Sequence, residues 1–568
     1  MTDSEIPGSP ANPAPWLRDL LLLAVIFGAG FGFGLGRAPL ANPDEGRYAE
    51  IPREMDASGD WVTPRLDGVD YFEKPPLLYW AVAAEMKVFG TSERSLRAVP
   101  AFFALAGVLL TYAAARALRG RGAGFASGVV LGTSLIYFAH ARLLILDMAV
   151  AVLMSATLFC FILGVREPPG WRRRLFFYGL YASAALATLT KGLMGFLVTG
   201  AVMLGWLLVF NQWKRLRPLY LPTGALLFLA IAAPWHILVA RRNGTWAHFY
   251  FIHEHWERFT TTEHHRYGPW WYFIPVVLLG LFPWVGFLWP ASREALAGGW
   301  ARRKENAEMG FLVFWAAFIF LFFSASQSKL IPYILPVFPP LAVVIGAWLA
   351  RRRDEGVLAP LRGGLRLFSV VCGLLALAVC AVVWDPALVR NLDPTQALML
   401  RPYAYAAAAV LAAGAGGCGW LARARGARAA LAGMVAATGL FYGVLALARP
   451  ALQPVGTRDI ALIVKAQVPP GDRVYHYHGF YQDFAFYAHR FYGTVSFYGD
   501  ELELQNDAAA RASGRFIDEA EFRREWARPG RIFVIARKRD ITELFADPAF
   551  HKHLLAMTRD YYLFSNYP

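Results

Sequence analysis

The chain has 568 residues, of which 57% are hydrophobic and only 17% are charged, and its formal net charge is +15. This composition excludes an ordinary soluble protein. The four cysteines form no CxxC pair, which argues against a disulfide framework and against thiol chemistry.

Repeated apolar runs of about 17–25 residues have the length that a helix needs to cross a bilayer. The stretch before the first run has no basic residue, so that run is predicted to be an anchor and not a cleaved signal. The sequence predicts a polytopic α-helical membrane protein over residues 1–449. Thirteen spans are predicted, at about 17–36, 97–118, 123–140, 144–165, 174–190, 193–211, 221–240, 270–290, 308–325, 331–350, 366–384, 402–420 and 428–447.

Lysines and arginines cluster in every second loop, which is the positive-inside pattern of membrane proteins. This alternation predicts that the basic loops and the N-terminus are cytoplasmic. The 37–96 loop, the 241–268 loop and everything after about 450 are then outside. A basic surface for nucleic acid or anionic lipid is the alternative explanation of the net charge. The basic residues concerned are Arg119 and Arg121; Arg166 and Arg172–Arg174; Lys214, Arg215 and Arg217; Arg293 and Arg302–Lys304; Arg351–Arg353 and Arg362; and Arg423, Arg425 and Arg428.

The first outer loop concentrates charged side chains between residues 42 and 76, directly after the first span. Two helices are predicted in it, Asp44–Ala57 and Pro76–Val88, lying flat on the membrane surface with aromatic residues at the interface. Charged residues just before each helix would then lie at the depth of lipid head groups. We therefore expect a site at the membrane–water boundary that handles a polar group carried by a lipid.

Two pairs in this loop are candidate site residues. Asp44 and Glu45 form an acidic pair that can act as a general base or hold a sugar, although Asp44 is also well placed to cap the following helix. Glu73 and Lys74 precede two prolines, and the lysine can bind phosphate as a point charge. A surface ion pair with little energetic value is the alternative for the second pair.

Ionisable residues at the outer ends of spans add further candidates, because such residues are costly at that depth unless they function. Asp147 begins the fourth span, and Lys191 lies in the turn between the fifth and sixth. Lys329 and Tyr333 lie at the outer end of the tenth span, where several prolines are expected to break the helix beside a cavity. Snorkelling of Lys191 and a kink without a ligand are the alternatives.

The 248–272 stretch gathers five histidines with two arginines. Arg258 and Arg266 are candidate phosphate ligands because guanidinium binds phosphate bidentately. His253 and His255 with Glu254, together with Glu73 across the site, are candidate ligands of a divalent metal such as zinc. Their HxH spacing is not the i, i+4 pair of a helical site, and a wet interfacial loop is the alternative. The predicted metal ligands are Glu73, His253, His255 and His265.

Residues 450–568 alternate short β-like runs with helix-compatible stretches, which predicts an outer α/β domain. Its aromatic cluster can contact a glycan or a lipid head group, or it can simply be the strands of a folded module. The members of this cluster are Tyr475, His476, Tyr477, His478 and Tyr481.

Three motifs together resemble those of the membrane glycosyltransferases of the protein O-mannosyltransferase superfamily. They are PDEGRYAEIPREMDASGDWVTPRLDGVDYFEKPPLLYW, EHWERF and SxxKxxxYxLPxxPxLA. Within that superfamily the chain is most similar to the bacterial 4-amino-4-deoxy-L-arabinose transferases of lipid A. The resemblance implies the GT-C fold, an undecaprenyl phosphate-linked amino sugar as donor and a lipid A phosphate as acceptor. It implies an active site and C-terminal domain at the periplasmic face of the inner membrane.

The resemblance places the family's motif acid on Asp44, its EK pair on Glu73 and Lys74, and its motif arginine on Arg258. The implied reaction is inverting displacement at the anomeric carbon. Another polyprenyl-phosphate-sugar transferase, acting on a protein or glycan hydroxyl, and a transporter or flippase are the alternatives. We predict Asp44, Glu73 and Asp147 as catalytic residues, and Lys74, Arg47, Tyr48, Tyr71, Lys191, Arg258, Lys329 and Tyr333 as ligands of the sugar and the lipid phosphate.

Overall fold

A computed structural model of the chain describes residues 13–250, 268–355, 359–389, 392–452, 456–497, 502, 510, 512–541 and 543–568. Residues up to 452 are mainly helical, with one short hairpin, β1 (Arg65–Leu66) and β2 (Val69–Asp70). The helices of this part are α1 (Pro13–Gly32), α2 (Asp44–Ser58), α3 (Leu77–Phe89), α4 (Glu93–Arg119), α5 (Arg121–Thr133), α6 (Leu135–His140), α7 (Asp147–Arg166), α8 (Trp171–Lys191), α9 (Met194–Phe210), α10 (Leu221–Arg242), α11 (Trp246–His248), α12 (Phe273–Gly280), α13 (Val285–Ala295), α14 (Ala307–Ala325), α15 (Phe338–Glu355), α16 (Arg362–Trp384), α17 (Pro394–Ala424) and α18 (Gly426–Leu452), with short 3-10 turns at Trp213–Leu216, Ile331–Val337, Ala359–Leu361 and Pro386–Leu388.

Each of the thirteen predicted spans falls on helix. By length and composition, nine of the described helices can cross a membrane, and α12 with α13 make a tenth if this pair, bent by 101°, is one span. The other three predicted spans fall on α5 with α6, on α8 and on α9, which are shorter or begin with arginines. The count of thirteen therefore stays a prediction.

The first outer loop folds as its sequence indicates. Helix α2 begins after Pro43, with Asp44 and Glu45 in its first turn. The positive end of the helix dipole stabilises carboxylates at this position. It ends at Gly59, whose φ of 70° is the left-handed conformation that glycine adopts without steric cost. Helix α3 begins after Pro76. Both predicted helices are confirmed within one residue at each end.

Glu45 is buried at the centre of an ion-pair network that joins this loop to the spans. Its carboxylate contacts Arg97 at 2.7 Å and Arg449 at 3.0 Å, and it accepts a hydrogen bond from the Leu144 amide at 2.9 Å. Burial raises the pKa of Glu45, but the hydrogen bond and charge of Arg97, together with Arg449, outweigh it and hold the pKa below its ordinary value. Glu45 therefore fixes the position of α2 against α4 and α18.

The C-terminal part forms a six-stranded mixed sheet in the order β5-β4-β3-β6-β8-β7. Strands β5, β4, β3 and β6 are mutually parallel, and β8 runs antiparallel between β6 and β7. The predicted α/β domain is thus present. Its elements are α19 (Arg458–Gln467), β3 (Arg473–Tyr477), α20 (Gln482–Ala488), β4 (Gly493–Val495), β5 (Phe516–Ile517), α21 (Glu519–Trp526), β6 (Ile532–Arg537), a 3-10 turn (Lys538–Asp540), α22 (Glu543–Ala546), β7 (His553–Met557) and β8 (Tyr561–Ser565).

Helix α20 of this domain packs directly on α2. A Cβ added to Gly46 would lie 2.4 Å from the backbone nitrogen of Asp483, so only glycine permits this approach. The buried Asp483 carboxylate accepts hydrogen bonds from Asn42 and from the hydroxyl of Thr457, the latter at 2.7 Å. The C-terminal domain is therefore held close to the charged outer loop.

A second contact between domain and loop contains three buried acids. The Glu54 carboxylate accepts hydrogen bonds from the backbone amides of Asp67 (2.6 Å) and Gly68 (3.0 Å), and Asp67 pairs with Arg515 at 3.0 Å. Burial, and then the charges of Glu50 and Asp67, raise the pKa of Glu54 well above its ordinary value of 4.5. The folded protein therefore holds a proton on Glu54 at a pH at which the unfolded chain has lost it.

This proton makes the stability of the protein depend on pH. The contribution of Glu54 is fully present below pH 4.5 and is lost as the pH rises through the raised pKa of the folded state. We expect Glu54→Gln, which mimics the protonated acid, to reduce the loss of stability as the pH rises above 4.5. The two proteins should differ in this pH dependence by at most one proton, or about 1.4 kcal/mol per pH unit. Thermal unfolding of the detergent-solubilised protein measures this. The exposed Glu305→Gln is the control, and an unchanged slope in Glu54→Gln would contradict the prediction.

Candidate active site

A cavity of about 640 Å³ lies between the first outer loop and the outer ends of several spans. Its lining combines apolar side chains with charged and hydroxyl groups. Five of the predicted site residues line it: Glu73, Lys74, Asp147, Lys191 and Tyr333. The apolar lining includes Val150, Met154, Leu193, Met194, Leu197, Val198, Ala201, Phe318, Phe322 and Phe323.

An ion pair between Asp147 and Lys191 forms one polar wall of the cavity. Asp147 is the first residue of α7 and Lys191 the last of α8, so both lie at helix ends, as predicted. The Lys191 ammonium also lies 4.6 Å from the centre of the Tyr333 ring, in a cation–π contact. The three side chains together hold one cation in a fixed position beside the apolar wall.

Glu73 and Lys74 form another polar part of the lining, and Arg47 connects them to Asp44. The Lys74 ammonium lies 3.7 Å from the Glu73 carboxylate, which lies 3.6 Å from the Arg47 guanidinium. Arg47 in turn lies 3.2 Å from the carboxylate of Asp44. The Asp44 side chain is 60% exposed and does not itself line the cavity. The structure thus brings Asp44, Glu73 and Lys74 into one network, while Asp147 pairs with Lys191.

The two predicted tyrosine ligands lie behind this network. The Tyr71 hydroxyl accepts a hydrogen bond from Arg47 at 2.5 Å, and Tyr48 stacks on Tyr79 with ring centres 5.9 Å apart. Both tyrosines are buried, and burial raises the pKa of each well above its ordinary value. In this geometry Tyr71 positions Arg47, while a direct contact of Tyr48 or Tyr71 with substrate stays a prediction.

Lys329 lies where the sequence predicts a broken helix. Helix α14 ends at Ala325, and a 3-10 turn at Ile331–Val337 separates it from α15. The buried Lys329 ammonium donates a hydrogen bond to the Ser326 carbonyl, and burial lowers its pKa. Ser326 lines the cavity, so Lys329 lies one hydrogen bond behind the lining.

Comparisons with known proteins agree with this geometry. The sequence profile of the dolichyl-phosphate-mannose-protein mannosyltransferase family matches residues 21–250. The crystal structure of ArnT from Cupriavidus metallidurans bound to undecaprenyl phosphate superposes with a TM-score of 0.84 at 29% identity, covering 98% of each chain. The chain is a homologue of the aminoarabinose transferases and has their GT-C fold. The predicted resemblance is confirmed.

The chain is also similar to curated arabinosyl transferases of other bacteria. The chain is 35% identical over 354 residues to the undecaprenyl phosphate-alpha-4-amino-4-deoxy-L-arabinose arabinosyl transferase of Aeromonas salmonicida, over 61% of this chain and 63% of that protein. It is 33% identical over 357 residues to transferase 2 of Sodalis glossinidius, over 62% of this chain and 64% of that protein. The chain therefore matches slightly less than two thirds of the length of these relatives.

The remaining predicted ligands lie outside the described residues. Arg258, Arg266, His253, His255, His264 and His265 are among them. Over the part of the chain that the structure describes, no three histidine, cysteine, aspartate or glutamate side chains are placed to hold a metal ion. Glu73 alone among the four predicted zinc ligands is described, and it faces Arg47 and Lys74. A metal site thus stays a prediction.

Sequence reasoning grouped Asp44 with Glu45, but the structure separates their roles. Consecutive residues of a helix point about 100° apart, so adjacent carboxylates cannot face one site. Glu45 is only 2% exposed and is held by Arg97, whereas Asp44 faces outward beside Arg47. Sequence reasoning also missed the apolar wall of the cavity, because its side chains come from helices that are distant in sequence.

Proposed function

We propose that the chain transfers 4-amino-4-deoxy-L-arabinose from undecaprenyl phosphate to a phosphate of lipid A, at the periplasmic face of the bacterial inner membrane. The observation that carries this proposal is a cavity whose lining combines many apolar side chains with the ammonium groups of Lys74 and Lys191. A polyprenyl phosphate has the same two parts. The names of the similar proteins, including one solved with undecaprenyl phosphate, support this donor.

The cations of the cavity suit a phosphate leaving group. In the proposed reaction an oxygen of the acceptor phosphate attacks the anomeric carbon, and the bond from that carbon to the undecaprenyl phosphate oxygen breaks on the opposite face. The leaving phosphate regains its full negative charge. Lys74 and Lys191 on the cavity wall, with Lys329 close behind, stabilise that charge as it develops. Arg258 is proposed to add a bidentate contact.

Asp44 has a positioning role in this proposal. An acceptor phosphate is already anionic, so the attack needs no strong base. The exposed carboxylate of Asp44, held at 3.2 Å by Arg47, is suited to bind the amino group of the sugar and to orient the anomeric carbon. A hydroxyl acceptor, as in protein mannosylation, would instead require a general base at this position.

The ends of single helices support the proposed orientation across the membrane. Helix α7 runs from Asp147, on the cavity wall, to Arg166 at its other end. Helix α8 begins with Arg172–Arg174 and ends with Lys191 on the cavity wall. The basic loop between α7 and α8 therefore lies at the end of these helices opposite the cavity. With the positive-inside pattern, this supports a cavity and a C-terminal domain on the periplasmic side.

Mass spectrometry of lipid A tests the proposal. Lipid A from cells that express the chain should gain the mass of an aminopentose on a phosphate, and lipid A from cells without it should not. A hexose on a protein or glycan hydroxyl would instead establish the alternative, transfer by another member of the superfamily, which the mannosyltransferase profile match favours. An unchanged lipid A in cells that supply the donor would exclude the proposed acceptor.

The role of Asp44 has its own test. We expect Asp44→Asn to lower transfer to a phosphate acceptor about 10- to 100-fold, because the amide no longer attracts the amino sugar or the Arg47 guanidinium as strongly. Initial rates in purified membranes measure this. Asp56→Asn is the matched control, since Asp56 lies on the same helix and pairs with Lys87 at 3.0 Å. Full activity of Asp44→Asn would remove Asp44 from the mechanism.

Zinc binding by Glu73 together with His253, His255 and His265 remains part of the proposal. Measuring the metal content of the purified protein, and of its Glu73→Gln variant, tests it.

A further inference from the structure

The C-terminal sheet contains a topological switch point that the transfer reaction does not use. The chain passes from β3 to β4 and β5 on one side, and then returns to β6 on the other side of β3. Strands β3 and β6 are parallel neighbours, so the loops that follow them leave the same edge of the sheet in opposite directions. Ligands of open α/β sheets bind in the crevice that such diverging loops create.

A crevice of about 480 Å³ lies at this edge of the sheet. The loop after β3 contributes His478 and Tyr481, and the end of β6 with the turn that follows contributes Arg537, Arg539 and Asp540. Two guanidinium groups and one carboxylate thus line the crevice; Asp540 contacts Arg539 at 3.5 Å, and His478 lies 3.9 Å from Glu519. The guanidinium of Arg537 is left to bind an anion, and a phosphate monoester offers it a bidentate contact.

Arg537 has the surroundings of a cation that is available to an anion. Its guanidinium lies 4.7 Å from the centre of the Tyr481 ring and 5.8 Å from that of Tyr561. Among the described residues, no carboxylate lies within 4.0 Å of it. Its one hydrogen bond to them is a long one, 3.4 Å, to the Tyr561 hydroxyl. The aromatic contacts fix the direction of the side chain without neutralising its charge.

The aromatic cluster noted in the sequence is divided by this crevice. Tyr475, His476 and Tyr477 are buried in the domain core, as a folded module requires. His478 and Tyr481 come from the same run but line the crevice. His478 has a φ of 52°, a left-handed conformation that is uncommon outside glycine and turns the chain out of the strand at this edge. The run therefore serves both the core and the crevice.

We propose that this crevice binds a phosphorylated saccharide, with the phosphate at Arg537 and Arg539 and the sugar ring beside His478 and Tyr481. The site is separate from the cavity that contains Lys74. The ligand can be a soluble sugar phosphate or the phosphorylated head group of a glycolipid, since both present the same chemistry. The inference does not depend on the transfer reaction.

Ligand-observed NMR on the full-length protein in phosphatidylethanolamine nanodiscs tests the site. The probe is glucosamine 1-phosphate, and the control is glucosamine, which lacks the phosphate. We expect saturable binding of the phosphate only, weakened about tenfold or more by Arg537→Gln and by Arg539→Gln, because each removes a charge-assisted contact. Arg539 is 74% exposed, so its loss leaves the fold intact even if Arg537→Gln unfolds the domain.

Two further variants make the assignment specific. Arg531 lies directly before β6, at the end of this strand opposite Arg537. Arg531→Gln should therefore leave binding unchanged. Lys74→Met removes a cation of the transfer cavity and should also leave it unchanged. Absence of saturable binding, equal loss in Arg531→Gln, or loss in Lys74→Met would each overturn the proposal.

A competition experiment distinguishes the two sources of ligand. If the crevice binds a membrane head group, nanodiscs of phosphatidylethanolamine with lipid A displace the soluble probe. If the crevice binds a free sugar phosphate, these nanodiscs leave the probe bound. Both results require the crevice, and neither depends on whether aminoarabinose is transferred.

Discussion

Replacing Lys74 with methionine is expected to lower the rate of sugar transfer about 100-fold or more, because it removes a preorganised cation from the wall where the leaving phosphate develops its charge. Methionine keeps most of the volume and the apolar stem of lysine, so the neighbouring prolines and the cavity wall remain in place. Rates with a synthetic polyprenyl-phosphate aminopentose donor and purified lipid A measure the effect.

The kinetic parameters separate the two uses of this charge. A lysine that only binds the donor raises KM when it is lost and leaves kcat unchanged. A lysine that stabilises the departing phosphate lowers kcat, because that charge is greater in the transition state than in the bound donor. We expect the larger part of the loss in kcat. A change confined to KM would restrict Lys74 to donor binding.

Lys87→Met is the matched control for Lys74→Met. Lys87 belongs to the same outer loop, is 52% exposed, and contacts Asp56 at 3.0 Å and the Trp61 ring at 4.8 Å. It lies outside the cavity lining. Its loss should leave transfer near the wild-type rate. Equal losses in the two variants would mean that net charge of the loop, and not the position of Lys74, governs the rate.

The sequence predicted the features that depend on local or one-dimensional patterns. Apolar runs identified the long apolar helices, and the prolines before α2 and α3 identified where these helices begin. The placement of Asp147, Lys191 and Tyr333 on one cavity also followed, because ionisable residues at the outer ends of spans share one membrane depth. These predictions needed no knowledge of which helices are neighbours.

Features that depend on contacts between distant segments could not be predicted in this way. Arg97 is an apparently costly charge inside a predicted span, and only the packing of α4 against the outer loop shows that Glu45 is its partner. The strand order, which places β6 beside β3 and not beside β5, is also set by pairing across the sheet. The aromatic run at 475–481 therefore read as one cluster, although the structure divides it between core and crevice.

Arg97 is expected to be the most important single side chain for stability in the outer half of the protein. Its buried guanidinium donates five hydrogen bonds: two to the Glu45 carboxylate and one each to the carbonyls of Leu35, Ala38 and Pro39, all between 2.7 and 2.8 Å. These carbonyls belong to the segment that leads from α1 to α2. One side chain thus satisfies the end of the first span and neutralises the acid that positions the outer loop.

Arg97→Met should destabilise the protein by about 3–5 kcal/mol, because it leaves a buried carboxylate and three buried carbonyls with fewer partners. Arg449 still contacts Glu45 at 3.0 Å and limits the loss. Thermal unfolding in detergent at one fixed heating rate measures the difference, since unfolding of membrane proteins is rarely reversible.

A double variant and a surface control show whether the buried charge is the cause. Adding Glu45→Gln to Arg97→Met removes the carboxylate that lost its partner, so the double variant should be more stable than the sum of the single losses indicates. Arg302→Met breaks an exposed pair with Glu305, and such pairs contribute about 0–1 kcal/mol. If Arg97→Met unfolded at the same temperature as Arg302→Met, the network around Glu45 would not hold the outer loop on the spans. The cavity wall formed by Glu73 and Lys74 would then need another support.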